Sequence, residues 1–174
     1  MRLFGKKLSA GQLFIIRALG LIVVWKVAYS MVIAPYTTIN PWLTNAVGSS
    51  TAAFFDWFGM NSQFQNGFLY INNLQSVFIG HPCNGLELHA LFIGFLLISP
   101  GTVLKKVLYT CVGVMLIFLA NIVRVYLLGF NYVNNPSTFE FNHKYTYLGL
   151  VYLLIFILWI VWIEVVNKRR IVEA

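Results

Sequence analysis

Residues 79–89 join a polar segment to an apolar one, and they read Ile79-Gly80-His81-Pro82-Cys83-Asn84-Gly85-Leu86-Glu87-Leu88-His89. Pro82 suits the first turn of a helix, because the amide hydrogen that it lacks would have no partner there. Cys83 would then lie among free N–H groups at the positive end of the helix dipole, which favours a thiolate nucleophile. Gly85 leaves the backbone beside the sulfur uncrowded, so that another chain can approach. Since a buried cysteine more often packs as a small hydrophobe, the polar residues elsewhere must decide between the two interpretations.

The composition is that of a membrane protein. Hydrophobic residues make up 59% of the 174 residues, only 10% are charged, and the mean hydropathy is +0.77. Soluble domains are about half apolar and about a quarter charged. The formal net charge of +7 comes from Lys and Arg at the ends of apolar segments, not from a basic stripe with interleaved aromatics, so nucleic-acid binding is not expected. Cys83 and Cys111 are expected at different membrane depths, which excludes a disulfide between them.

Four apolar runs predict an all-α integral membrane protein with one domain over residues 1–174. The predicted spans are residues 13–34, 83–99, 107–128 and 143–166. About 20 apolar residues cross a hydrocarbon core of about 30 Å, and the second run is the shortest of the four.

The segment between the first two spans, residues 35–82, is the only sizeable region predicted to lie outside the membrane. Within it, residues 46–58 carry aromatic and aliphatic side chains between small polar ones, which is typical of an amphipathic helix at a membrane surface. Residues 68–71 and 77–79 predict a short β-hairpin, with Asn72 and Asn73 in the turn because Asn tolerates positive φ.

The basic residues orient the chain. Eight of the twelve Lys and Arg residues lie before the first span, between the second and third, or after the fourth. Four spans put these three segments on one side, which the positive-inside rule makes cytoplasmic. We therefore expect a multi-pass protein of the cytoplasmic (inner) membrane with both termini in the cytoplasm. Residues 35–82 and 129–142 are then extracytoplasmic.

Three reactive residues converge in this topology. Cys83 opens the second span, Arg124 lies near the end of the third, and His143 opens the fourth, all at the extracytoplasmic face. These residue types suit acyl transfer by a thiolate, in which a His moves the proton and a guanidinium stabilises the oxyanion. Asn121 lies one turn before Arg124 on the same helix face. Alternatively, Arg124 snorkels to the headgroups and His143 caps its helix.

The polar residues around Cys83 could instead form a metal site. His81, Glu87 and His89 surround Cys83 in sequence, and Cys83 and Glu87 share a helix face at i, i+4. His89 is six residues from Cys83, and the spacing matches no zinc motif, so no metal is expected. Glu87 would either tune His143 or Arg124 or form a structural pair inside the bundle, and the residues alone leave this open, together with the roles of His81 and His89.

Three motifs in this order resemble the exosortase/archaeosortase family, in the compact form seen in Bacteroidetes-like bacteria. They are Cys83-Asn84-Gly85-Leu86 after a short strand, Asn121-Ile122-Val123-Arg124 at the end of a later helix, and His143 at the start of the next. The match covers roughly residues 65–165, and Cys-Asn-Gly stands where the family more usually has Cys-Ser-Gly. The resemblance implies that Cys83, Arg124 and His143 are catalytic, with Asn84, Gly85, Glu87 and Asn121 in supporting or substrate-binding roles.

The resemblance also implies an activity. Members of this family are membrane cysteine transpeptidases that need no cofactor. They recognise exported proteins by a C-terminal sorting tail, which consists of a short motif, a transmembrane helix and a basic cluster. Cleavage through a thioester and transfer to an amine of a lipid or glycan are therefore expected. The main alternative is a non-catalytic membrane scaffold or assembly factor that binds partners through its extracytoplasmic loops. A transporter subunit is a weaker alternative, because no inverted repeat is present.

Overall fold

The computed structural model describes residues 2–3, 6–7 and 9–172, and this part of the chain is mostly helical. The helices are α1 (Ala10–Ala28), α2 (Ile39–Trp57), α3 (Leu86–Ile98), α4 (Val103–Asn134) and α5 (Tyr147–Val172). The strands are β1 (Arg2–Leu3), β2 (Lys6–Lys7), β3 (Ser62–Gln65), β4 (Phe68–Ile71) and β5 (Leu74–Phe78). Short helical turns cover Tyr29–Ile33, Ala34–Tyr36, His81–Cys83, Pro136–Thr138, Phe139–Phe141 and Asn142–Thr146.

The first predicted span is helical to Tyr36, beyond its predicted end. Ser9 and Gln12 form a capping box at the start of α1, which satisfies N–H groups that have no partner within the helix. After Ala28 the chain makes a π-helical turn, in which the Ala34 N–H bonds the Tyr29 carbonyl five residues back. This wider turn accommodates Pro35, which has no N–H to donate.

The amphipathic segment predicted at residues 46–58 is part of the longer helix α2. Its apolar side chains, including Leu43, Val47 and Phe55, are buried in a cluster shared with the sheet and with α4. The protein, and not a membrane surface, therefore covers this face of the helix. The opposite side carries exposed Trp42 and Trp57.

The predicted β-hairpin is confirmed, and a third strand extends it. The order is β3-β4-β5, with each neighbouring pair antiparallel. Asn72 and Asn73 form the predicted turn, with φ of 50° and 64°. Asn66 and Gly67 join β3 to β4 with φ of 51° and 83°, which is the backbone that a two-residue hairpin loop needs. The fold is thus mostly helical with a small sheet, not all-α.

Three of the described helical segments are long and apolar enough to cross a membrane: Ile15–Tyr36, Val103–Asn134 and Pro136–Glu164. The segment predicted to be the second span contains only the 13-residue helix α3. At 1.5 Å per residue, α3 is about 20 Å long, which is less than a hydrocarbon core of about 30 Å. The helix of the predicted second span, residues 83–99, is thus shorter than predicted, because it begins only at Leu86.

Helix α3 runs antiparallel to α4 in a regular register. Lys106 Nζ donates to the Leu97 carbonyl at 3.1 Å, and His89 Nε2 lies 3.2 Å from the Val114 carbonyl. At the other end, Asn121 Nδ2 donates to the Cys83 carbonyl at 3.1 Å. From Lys106 to Asn121, α4 rises about 22 Å, so α3 and the turn before it cover most of a membrane thickness together.

Two hydrophobic clusters occupy successive parts of α4, and Cys83 packs against the first of them. One joins α2, the sheet and the far end of α4, through residues that include Val125 and Leu128. The other joins α3, α4 and α5, through residues that include Ile117 and Trp162. Asn121 and Arg124 are buried on α4 between these clusters.

We expect Gly113→Ala to lower the free energy of unfolding by about 1–3 kcal/mol, because an added methyl group would overlap the ring of the fully buried Phe92. Thermal unfolding of the purified protein in detergent measures the loss. Gly149→Ala is the matched control, since a methyl group on Gly149 meets no atom within 4 Å. Equal unfolding temperatures for the two variants would contradict the packing of α3 on α4.

Candidate active site

The turn that carries Cys83 lies between the sheet and α3. Residues His81–Cys83 form a 3-10 turn, in which the Cys83 N–H donates to the Gly80 carbonyl at 2.9 Å. Gly85 then takes a φ of +87°, and α3 begins at Leu86. Cys83 therefore precedes α3, instead of lying in its first turn as predicted. A Cβ on Gly85 would also lie 3.1 Å from Asn121 Nδ2, so this position needs glycine both for its φ and for space.

The sulfur of Cys83 contacts two residues that are distant in sequence. Cys83 Sγ lies 3.4 Å from His143 Nε2, and Arg124 Nη2 donates to the same sulfur at 4.0 Å. Cys83 and His143 are both partly buried. The structure thus brings together the three residues that the sequence places at one membrane level.

Arg124 is held by an amide that also holds the Cys83 turn. The side chain of Arg124 is only 4% exposed, and its Nη1 donates to Asn121 Oδ1 at 3.3 Å. Asn121 is fully buried, and its Nδ2 donates to the Cys83 carbonyl. Within the described part of the chain, Arg124 Nε has no hydrogen-bond partner. Asn121 therefore fixes the guanidinium and the backbone of Cys83 relative to each other.

His143 lies in a π-helical turn, Asn142–Thr146, just before α5. The end of α4 holds this turn in place, because Asn142 Nδ2 donates to Asn131 Oδ1 at 3.2 Å. The ring of His143 also stacks on Phe139, with centroids 5.8 Å apart and planes 17° apart. The stacking on Phe139 and the contact of Nε2 with the Cys83 sulfur therefore orient the imidazole before any substrate binds.

Asn84 anchors the other side of the turn. It is fully buried, and its Oδ1 accepts from the Leu86 N–H at 2.9 Å, which caps the start of α3. Its Nδ2 donates to Asn40 Oδ1 at 3.1 Å and to the Asn40 carbonyl at 3.3 Å. Asn40 Nδ2 in turn donates to the Tyr29 hydroxyl at 3.2 Å. Sequence reasoning did not single out Asn40 or Tyr29, because they lie 44 and 55 residues before Asn84 and match no local motif.

Glu87 lies away from the reactive cluster. Its carboxylate pairs with Lys26 Nζ on α1 at 3.0 Å, and both side chains are more than half exposed. The expectation that Glu87 shares a face with Cys83 is wrong, because the positive φ of Gly85 interrupts the helix between them. This pair links α1 to α3 at an exposed position, so it is neither a contact with His143 or Arg124 nor the pair inside the bundle that the sequence left open.

The other two polar residues of the motif also lie apart from the sulfur. His89 is buried, with Nδ1 2.7 Å from the Gly85 carbonyl and Nε2 3.2 Å from the Val114 carbonyl, so it ties α3 to α4. His81 is exposed on the 3-10 turn. Over residues 2–3, 6–7 and 9–172, no three His, Cys, Asp or Glu side chains converge to hold a metal ion.

Two cavities lie near Arg124 and the Cys83 turn. One, of about 200 Å³, opens between α4 and α5 and is apolar except for Arg124; its lining residues are Ala120, Val123, Arg124, Leu127, Tyr147, Leu150 and Val151. The other, of about 440 Å³, lies between the start of α2, the β3–β4 turn and the turn before Cys83, and residues such as Asn45 and Asn66 line it. Arg124 is the member of the reactive cluster that lines the first cavity, and Pro82, next to Cys83, lines the second.

A thiol, an imidazole and a guanidinium in contact form a set that can carry out acyl transfer. The comparisons with known proteins point the same way. The chain matches the family described as transmembrane exosortase (Exosortase_EpsH) over residues 8–163. No curated protein and no solved structure matches it. Because the match extends over most of the sequence and includes every residue of the reactive cluster, the chain belongs to the transmembrane exosortase family.

Proposed function

We propose that this exosortase is a cysteine transpeptidase that cleaves the C-terminal sorting tail of exported proteins. Family membership implies a sortase-like enzyme whose substrates carry sorting signals. The observation that carries the proposal is the contact of one sulfur with both His143 Nε2, at 3.4 Å, and Arg124 Nη2, at 4.0 Å. Three segments far apart in sequence meet at this sulfur, as nucleophilic catalysis requires.

The first step forms a thioester. His143 takes the proton from Cys83, and the sulfur attacks the scissile carbonyl carbon. Arg124 stabilises the negative charge that develops on the carbonyl oxygen. The backbone N–H groups of Cys83 and Leu86 already bond the Gly80 carbonyl and Asn84 Oδ1, so the guanidinium takes the main part of this role. His143 then gives its proton to the leaving amine, and the tail departs.

The second step releases the exported protein. An amine acceptor on a lipid or glycan attacks the thioester carbon, His143 accepts the amine proton, and the sulfur leaves. The product is an amide, and Cys83 regains its proton from His143. With water in place of the amine, the same steps give a free carboxylate, and the enzyme acts as a protease.

The two cavities suggest how substrates approach. We place the apolar tail in the bilayer against α3, α4 and α5, with the cavity beside Arg124 taking side chains next to the scissile bond. The more polar cavity, formed by residues of the 35–82 region, would take the acceptor or the cleavage motif. Both are close to the reactive cluster, since Arg124 lines the first and Pro82 the second.

The proposed site lies at the extracytoplasmic face of the cytoplasmic membrane, with both termini in the cytoplasm. Arg124 lies 18 residues after Lys106 on α4, which corresponds to about 27 Å along the helix. That rise is close to a full hydrocarbon thickness from Lys105 and Lys106, which the positive-inside rule puts on the cytoplasmic side. The short helix α3, together with the turn before it, would return the chain to that side.

Thiol labelling tests the pairing of Cys83 with His143. In a Cys111→Ser background, which leaves one thiol, we expect iodoacetamide to modify Cys83 about tenfold more slowly after His143→Ala, because the imidazole no longer takes the proton. Mass spectrometry of the detergent-purified protein at neutral pH gives the rate.

Lys144→Ala is the matched control for this measurement. Lys144 is the next residue in the same π-helical turn, and its ammonium pairs with Glu140 at 3.1 Å instead of contacting the sulfur. We expect its labelling rate to equal that of the parent. Equal rates for the His143 and Lys144 variants would show that the 3.4 Å contact does not activate the thiol.

Processing in cells tests the reaction. We expect Cys83→Ala to abolish cleavage. We expect Arg124→Lys to slow it roughly a hundredfold to a thousandfold, because the single ammonium of Lys cannot donate to Asn121 and to the oxyanion at the same time as a planar guanidinium can. Quantitative mass spectrometry of exported proteins in the native host counts the C-terminal peptides that persist when the enzyme is inactive.

Cys111→Ala and Arg17→Lys are the controls, since both residues are exposed on helices away from the site. The same experiment separates the enzyme from a scaffold. A scaffold would keep its function after Cys83→Ser, whereas a cysteine nucleophile loses it. Undiminished removal of sorting tails in Cys83→Ala cells would refute the assignment of the nucleophile.

A further inference from the structure

The turn that carries Cys83 depends on a chain of buried polar groups outside the reactive cluster. It runs from the Tyr29 hydroxyl on the first span, through the side chain of Asn40 on α2, to the side chain of Asn84 beside Cys83. Asn40 is 4% exposed and Asn84 is fully buried. Buried polar groups of this kind are costly unless they are hydrogen-bonded, so each link constrains the next.

The hydrogen bonds fix the orientation of both amides. The Leu86 N–H can only donate, so the oxygen of Asn84 must face it, and the Asn84 nitrogen must face Asn40. The carbonyl of Asn40 can only accept, and it lies 3.3 Å from that same nitrogen. Once the Oδ1 of Asn40 is committed to Asn84, its own nitrogen points to Tyr29. No second arrangement of the two amides satisfies all of these partners.

The position of Tyr29 is itself unusual. It begins the π-helical turn Tyr29–Ile33, and its carbonyl accepts from Ala34, five residues on. Turns of this kind are uncommon and occur often at functional sites. Here the turn lies on the first span, which otherwise contacts the bundle through α3, for example through the Lys26–Glu87 pair.

We propose that Asn40 is a positioning residue for the reaction at Cys83, and that Tyr29 orients it. Asn40 holds Asn84, Asn84 caps α3 and fixes the Gly85 turn, and this turn sets the sulfur against His143 and Arg124. This inference rests on the proposed function, because it assigns Asn40 a part in activating the same thiol. It adds a link from the first span to the nucleophile, through side chains that make no hydrogen bond to the sulfur in the described structure.

A double-mutant cycle between Asn40 and His143 tests the proposal, since the two side chains share no contact in the described structure. All variants carry Cys111→Ser, and iodoacetamide labelling of Cys83 in detergent is the readout. In the parent, we expect His143→Ala to slow labelling about tenfold. In an Asn40→Ala background, the same change should have an effect of less than about twofold, because the displaced sulfur no longer meets the imidazole.

Two further variants separate positioning from general loss of structure. Asn40→Asp keeps an acceptor for Asn84, and the Tyr29 hydroxyl can donate to the second carboxylate oxygen. In this background, His143→Ala should therefore again slow labelling of Cys83 about tenfold. Tyr29→Phe removes only a hydroxyl, and in this background the slowing of labelling by His143→Ala should lie between about twofold and about tenfold. Thr51→Val is the control, because Thr51 is fully buried on α2 but bonds only the Val47 carbonyl of its own helix.

The possible outcomes are distinguishable. If His143→Ala slows labelling equally in the Asn40→Ala and parent backgrounds, the positioning role is refuted while the proposed function stands. If His143→Ala has no effect even in the parent, the thiol–imidazole pair itself fails, and the positioning role fails with it. If Thr51→Val abolishes the dependence on His143 as Asn40→Ala does, the effect reflects loss of structure in α2, and the assignment of Asn40 is wrong.

Discussion

A buried guanidinium is the constraint around which this structure is arranged. Arg124 lies inside the protein about two thirds of the way along a membrane helix, where a charge without polar partners would be very unfavourable. In the described residues, the carboxylates in ion pairs are those of Glu87 and Glu140, and both pair with lysines elsewhere. Arg124 bonds instead to a neutral amide and to a sulfur. Its positive charge therefore remains available to stabilise negative charge at Cys83 or on a bound carbonyl.

Using that charge requires the turn with Cys83 to stay at a fixed distance from α4. Two buried asparagines meet this requirement from opposite sides. From α4, Asn121 donates to the Cys83 carbonyl. Asn84, the residue after Cys83, donates to Asn40 on α2. Gly85 completes the arrangement, because its positive φ turns the chain into α3 while its missing side chain leaves room for Asn121. The fold thus fixes the backbone on both sides of the nucleophile and leaves only the sulfur facing the reactive groups.

The sequence was sufficient to predict which reactive residues meet, because charge distribution and helix length determine the level of each residue in a membrane. Cys83, Arg124 and His143 were placed at one level by counting spans, and the structure brings them into contact. Their catalytic roles stay predictions. The hairpin turn at Asn72 could also be predicted from the sequence, since consecutive asparagines favour positive φ.

The errors have physical reasons. The second span was predicted too long and Glu87 on the wrong face, because both inferences continued a helix through Gly85, whose φ only the folded contacts determine. The strand Ser62–Gln65 was missed because three of its four residues are polar, although the Asn66-Gly67 turn beside it was a signal that could have found it. Asn40 gave no signal at all, since a long-range bond between two amides leaves no periodicity in sequence.

The two cavities offer a route by which the proposed enzyme could combine cleavage with transfer. Arg124 lines the apolar cavity between α4 and α5, and Pro82 of the Cys83 turn lines the more polar cavity. In the proposed reaction, a tail held in the bilayer reaches the sulfur from the first side, whereas an acceptor reaches the thioester from the second. In this scheme the amine and the tail use separate routes, so the amine can arrive before the tail has left. In that proposed arrangement, the balance between transfer and hydrolysis would depend on how fully the acceptor fills the more polar cavity and excludes water from the thioester.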